Sequence, residues 1–201
     1  MHETKEQILL AALRLFARNG YEAVSVSDIA STLGLTKGAL YRHYANKQAI
    51  FEAILHRMEQ SDAEHAHQFG LPEGPLESGE DAYRTVNPEQ MVSFAKAMFR
   101  YWTEEEYPSC FRRMLTLEQY QNAEMEKLYQ QYLVSGPLGY VTDLFRSWNV
   151  PDAQNKAFAF YAPMFLLYSR YDAAEDKSSV IPLWENYVEA FCALWNKRGD
   201  A

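Results

Sequence analysis

Apolar residues at helical spacing dominate the chain from its first turn. Ile8, Ala12, Leu15 and Phe16 form one stripe, with Lys5, Gln7, Arg14 and Arg18 off it, which predicts an amphipathic helix over residues 4–19. Asn19-Gly20 closes it, because glycine accepts the left-handed turn after a helix without penalty. Ser25-Val26-Ser27-Asp28 has capping-box spacing and opens a short helix that turns Ile29, Ala30 and Leu33 inward and stops at Gly34. Thr36 caps a further helix through about Tyr44. Asn46 caps the next, which runs from Lys47 towards Gln68 with Ile50, Phe51, Ile54 and Leu55 as its stripe.

The pattern breaks over residues 69–88, where Gly70, Pro72, Gly74, Pro75, Gly79 and Pro88 fall among acids and predict a long loop or linker. Helical periodicity then resumes at about 88–103, 108–120, 122–148, 152–172 and 179–197. Gly136-Pro137 should kink or split the third of these, and Pro163 should bend the fourth. No β-run of useful length and no internal repeat interrupts this series. The expected fold is all-α.

Composition narrows the picture. The 201 residues are 48% hydrophobic, 14% aromatic and 23% charged, which excludes disordered, collagen-like and low-complexity classes. Cys110 and Cys192 cannot build a disulfide framework and fit a reducing, cytoplasmic setting. No run of 18 apolar residues predicts a membrane span, and the first residues predict no export signal.

The net charge of -8 argues against a nucleic-acid partner until it is divided. Residues 1–60 carry seven Lys/Arg against six Asp/Glu, and residues 61–201 carry twelve against twenty-one. From Ile29 to Phe51 there is no acidic residue, while Lys37, Arg42, His43 and Lys47 are present.

Ala30, Gly34 and Leu40 stand at A-x3-G-x5-L spacing inside this acid-free stretch. A small residue lets two helices cross closely, glycine makes the turn, and leucine anchors the second helix: the requirements of a helix-turn-helix. The second helix would be the reader. Thr36, Lys37, Gly38 and Ala39 lie in its first turn, where base edges in the major groove are met. The unpaired amides there also favour phosphate. Lys37 can reach guanine, Gly38 and Ala39 allow close approach, and Tyr41, His43 and Lys47 offer donors to phosphates.

The run Lys5-Glu6-Gln7-Ile8-Leu9, Leu15-Phe16, Gly20-Tyr21, Ser25 to Ala30, Gly34 to Tyr44, Asn46-Lys47 and Ile50-Phe51 resembles the DNA-binding domain of the tetracycline-repressor (TetR) family. The resemblance covers about residues 4–55. It implies a dimeric, all-helical, ligand-responsive transcription regulator, usually a repressor, without cofactor. It also implies a DNA-binding domain over residues 1–46 and an effector-binding and dimerisation domain over 47–201, with 47–68 as the connecting helix. Ser25, Thr36, Lys37, Gly38, Ala39, Tyr41, His43 and Lys47 are the contact positions carried over. Tyr44 stands where the family usually has Phe, which suggests packing, and Arg42 occupies a variable position. Residues 56–201 carry no such likeness.

Of 29 aromatic residues, 23 lie beyond residue 70. Each reads first as core, yet a core built for packing alone favours Leu and Phe over tyrosine, whose hydroxyl needs a partner. Met98, Phe99, Trp102, Tyr107, Phe111, Met114, Tyr129, Tyr132, Phe165 and Tyr168 are therefore the expected lining of a small-molecule effector pocket. Glu104-Glu105-Glu106 beside Trp102 and Tyr107 suggests either a solvated helix end or a receiver for a cationic effector. The last two helices carry wide apolar stripes, and Phe158, Tyr161, Trp184, Tyr187, Val188, Phe191 and Trp195 are the expected homodimer contacts.

Nothing in the sequence predicts catalysis. Cys110 has no histidine at helical spacing, and there is no phosphate loop, H-E-x-x-H or C-x-x-C. His65 and His67, two apart on a helix, point to different sides and cannot share a metal. The alternative reading is a helical protein-interaction regulator without a small-molecule effector.

Overall fold

The computed structural model describes residues 2–72, 80–121 and 123–196, and every regular element among them is helical. In chain order these are α1 (His2–Asn19), α2 (Val26–Thr32), α3 (Lys37–Tyr41), α4 (Lys47–Gln68), α5 (Glu80–Thr85) and α6 (Pro88–Glu104). Then follow α7 (Glu106–Glu118), α8 (Ala123–Leu133), α9 (Ser135–Ser147), α10 (Ala153–Ala173), a 3₁₀ turn (Lys177–Ser179) and α11 (Ile181–Asn196). No described helix is long and apolar enough to cross a membrane.

The helices group into two compact units: a head of Met1–Asp62 with Glu106–Gln130, and a body of Ala63–Glu105 with Gln131–Ala201. The sequence divides the chain at residue 46; the packing instead places α7 and most of α8 in the head.

In the head, α1 turns Ile8, Ala12, Leu13 and Phe16 inward and packs along α7, which contributes the buried Phe111, Met114 and Leu115. Leu15, expected in the α1 stripe, is only half-buried. The ring of Tyr21 lies between Phe16 and Phe51, with centroids 5.0 and 5.1 Å away. Such tilted aromatic pairs add to the energy of area burial.

In the body, α6, α10 and α11 surround Trp184, which is entirely buried and donates its indole N–H to the Ala95 carbonyl at 2.8 Å. Phe99 and Phe160 flank that indole at 5.8 and 5.9 Å. Arg100 pairs with Glu185 at 2.8 Å, and Lys96 with Glu189, across α6 and α11.

In the connection between α9 and α10, Asn149 and Asp152 take positive φ, a region Asn and Asp tolerate. The break expected at Gly136-Pro137 falls at Val134, between α8 and α9, so Pro137 sits in a first turn where its missing N–H costs nothing. Pro163 lies inside α10, which continues on both sides of it. Within the expected loop 69–88, residues 80–85 form α5, whereas 73–79 are outside the described residues. Cys110 and Cys192 are both buried and free; burial pushes the Cys192 thiol up to about 11.

A methyl group on Gly136 would lie 1.9 Å from the Gln131 carbonyl oxygen, backbone that cannot move aside. Gly136→Ala is therefore expected to cost about 3 kcal/mol of stability, the upper end for an overpacked site, read by urea denaturation at unchanged m-value.

Candidate nucleic-acid interface

The α2–α3 pair is built from its caps inward. Ser25 accepts from the Asp28 amide at 3.2 Å and donates its hydroxyl to Asp28 Oδ2 at 2.7 Å, while the Ser25 amide donates to the same oxygen at 2.8 Å. These donors hold the Asp28 carboxyl below its usual range. At the other end Leu35 donates back to Ala30 at 2.9 Å, with Gly34 at φ 65° carrying the turn. Thr36 caps α3 by accepting from Ala39 at 3.1 Å. Val26, Ile29, Ala30 and Leu40 are the buried residues of the pair, and Leu40 alone anchors α3.

What is left outward is the expected reading face. Thr36, Lys37, Gly38 and Tyr41 are exposed, and nothing lies within 4 Å of the Cβ position of Gly38. The Lys37 ammonium lies 5.7 Å from the Tyr41 ring centroid. Ala39 and His43 are half-buried. α3 ends at Tyr41 rather than at Tyr44; His43 donates to Leu40 in the turn that follows, and Tyr44 packs under the Lys5 ammonium at 5.8 Å. Arg42, to which the sequence assigns no role, is exposed beside this face.

Three of the eight expected contact residues have other work in this structure, Thr36 as the cap of α3 among them. The Ser25 hydroxyl proton is engaged by Asp28. Lys47, half-buried at the start of α4, donates to the carbonyls of Tyr21 at 2.8 Å and Glu22 at 3.3 Å, and lies 4.2 Å from the Tyr21 ring centroid. Tyr21 also donates its hydroxyl to Gln48 at 3.0 Å, and burial raises that hydroxyl above its ordinary pKa. The turn after α1 is thus tied to the first residues of α4.

α7 braces the head from behind. Arg14 makes a two-point pair with Glu106 at 2.6 and 2.7 Å, which holds the Glu106 carboxyl below its usual range. Both side chains are about half exposed, so the pair orients more than it stabilises. Arg57 pairs with Glu6 and stacks 4.2 Å from the Tyr107 ring centroid, and burial raises the Tyr107 hydroxyl. At the far end of α7, Glu118 Oε1 accepts the Tyr21 amide at 2.8 Å. Sequence reasoning missed this brace, since nothing local announces a contact 97 residues away.

The ten residues expected to line a pocket divide between the units. Tyr107, Phe111, Met114 and Tyr129 belong to the head, with Phe111 and Met114 fully buried. In the body, Phe99 stacks on Tyr168 at 5.6 Å, Phe165 meets Tyr168 at 6.5 Å, Trp102 meets Tyr132 at 6.5 Å, and Met98 is half-buried.

The dimer expectation needs correction at several positions. Trp184 and Val188 are fully buried in the body's own core, and Tyr161 is buried with its hydroxyl on the Leu133 carbonyl at 2.8 Å. Wide stripes on α10 and α11 face their own unit first. Tyr187 and Phe191 are half-buried, the former bonded to Ala159 and the latter 5.3 Å from Phe160, and the Trp195 side chain lies outside the described residues. Phe158 is exposed at 62%, and so are Leu166 on α10 at 71% and Leu183 on α11 at 43%. Phe158 and Leu166, eight apart, share a helix face.

Residues 8–54 match the family model described as bacterial regulatory proteins, tetR family. The HTH-type transcriptional regulator AcrR of Shigella flexneri is 37% identical over 76 residues, 37% of this chain and 35% of that one. The aligned stretches span about a sixth to a third of the first curated relatives' own lengths. Among solved structures, a putative transcriptional regulator from Saccharomonospora viridis in complex with choline superposes with TM-score 0.65 at 18% identity, covering 95% of this chain and 96% of that one. The regulator FadR from Bacillus subtilis in complex with stearoyl-CoA gives 0.63 at 18%, covering 93% and 97%. Residues 8–54 thus match the tetR family of bacterial regulatory proteins, and the chain along its length shares the fold of these two solved structures.

Proposed function

We propose that this chain is a ligand-responsive transcription regulator of the cytoplasm, a repressor that holds a palindromic operator as a homodimer and leaves it when a small molecule binds the body. The observation that carries the reading is the outer face of α3: capped, anchored by one leucine, free of acids and open over Gly38. Such a face fits the major groove, with Lys37 placed for guanine and Tyr41 for a phosphate. One five-residue reader covers only a half-site, so two copies about 34–36 Å apart are required.

Phe158, Leu166 and Leu183 supply an apolar face for the second copy. The effector is an apolar or aromatic molecule, cationic ones included. The aromatic cluster around Phe99 and Tyr168 supports that class, and so do the choline and stearoyl-CoA complexes of proteins sharing the fold. Release follows if the effector binds better to a body conformation that misplaces the two heads. The chain passes between units within α4, at Glu105 and within α8, which gives a change in the body three covalent routes to the head. The work is regulatory and not catalytic.

Selection from a random duplex pool tests the reading: enrichment of a palindrome supports it, and no enrichment sinks it in favour of a protein-interaction role. On the enriched duplex, Tyr41→Phe should weaken binding to all sequences alike, whereas Lys37→Ala should relax base preference at one position per half-site by about 1–3 kcal/mol, both read by titration across single-base variants. Leu166→Glu combined with Phe158→Glu should weaken self-association by at least about tenfold in sedimentation equilibrium, and operator affinity should fall with it.

A further inference from the structure

Glu118, the last residue of α7, is 4% exposed. One carboxylate oxygen accepts the Tyr21 amide, and the other has no hydrogen-bond partner. An oxygen left so carries a desolvation cost that an apolar side chain would avoid. The backbone makes room for it: a Cβ on Gly20 would lie 2.6 Å from Glu118 Oε1, and Gly20 sits at φ 85°, where other residues are strained. The Gly20 turn that ends α1 thus leaves open the space that this carboxylate occupies.

What the carboxylate holds is the residue on which the head converges. The Tyr21 amide goes to Glu118, its carbonyl to the Lys47 ammonium, its hydroxyl to Gln48, and its ring to Phe16 and Phe51. α2 and α3 lie between Tyr21 and Lys47 in sequence, so this knot clamps both ends of the segment that carries the reading face.

We propose that Glu118 is a positioning residue for DNA recognition: its buried carboxylate latches the Tyr21 turn, and through Lys47 and Gln48 it sets the direction in which α3 is presented. This rests on the DNA-binding reading above. A merely structural carboxylate, replaced by an apolar side chain of similar volume, leaves recognition intact in the folded protein, whatever the unpaired Tyr21 amide costs in stability. A positioning carboxylate loses recognition under the same replacement. Glutamine keeps the accepting oxygen and should rescue it.

The test uses the full-length, ¹⁵N-labelled chain and the variants Glu118→Met and Glu118→Gln. Three quantities are read: Tyr21 amide exchange, the melting temperature, and the affinity ratio between the enriched duplex and a scrambled duplex of equal length. The latch predicts a slowly exchanging Tyr21 amide in the unaltered chain and in Glu118→Gln, with equal ratios. In Glu118→Met the amide should exchange fast and the ratio fall about tenfold, while the melting temperature drops by no more than the few degrees that one unpaired amide costs and the chain stays folded at the assay temperature. Fast exchange in the unaltered chain overturns the proposal without any substitution. So does a slow Tyr21 amide in Glu118→Met, an unchanged ratio once protection is lost, a loss that tracks unfolding, or a glutamine variant that behaves like the methionine one. If the unaltered chain enriches no duplex, the DNA-binding reading falls and takes the proposal with it; a protected Tyr21 amide then marks that failure apart from failure of the latch.

Discussion

α3 spans five residues, too few to persist in water by their own backbone hydrogen bonds, so its direction is imposed by its surroundings. Leu40 pins it from below, Thr36 and the Gly34 turn fix its entry, and the Tyr21–Lys47 knot closes the loop that contains it. Every function assigned to this chain passes through that dependence. A helix with one buried residue keeps a wide, open outer face, and the rigidity it lacks is supplied by the longer helices α1, α4 and α7.

Charge follows the same division of labour. Arg14 and Arg57 are engaged by Glu106 and Glu6, and Lys47 by backbone carbonyls, whereas Lys37 and Arg42 stand exposed on the reading side. The near-neutral sum over the first 60 residues thus hides cations of two kinds, those that hold the head together and those that face outward. For the proposed DNA contact by an overall acidic protein the outward ones matter more, because attraction to phosphates is local and screened beyond about 8 Å at physiological salt.

Local signals in the sequence were enough for the helices that end on their own caps. α4 was legible from Asn46 to Gln68, and the α8–α9 break from Gly136-Pro137. The sequence extends α3 too far because His43 and Tyr44 carry no breaking residue; the chain instead leaves the helix after Tyr41 in a turn where the amides of His43 and Tyr44 both donate to Leu40. α5 was hidden among prolines and glycines. On α10 and α11, periodicity showed apolar stripes without showing that Trp184 and Val188 belong to the chain's own core, or that Leu166 points away from it. The α7 brace was invisible for a related reason: Arg14 and Glu106 are 92 residues apart, and pairing at that distance leaves no local mark.

The discontinuity of the head has a consequence for biosynthesis. Its first 62 residues leave the ribosome long before α7 does, at roughly 5–20 residues per second. For several seconds the nascent α1 has no partner for the apolar side that α7 later covers. Until about residue 130 has emerged, that side is open to chaperones or to neighbouring nascent chains, so maturation of the head waits on translation of a segment more than 80 residues downstream of α1.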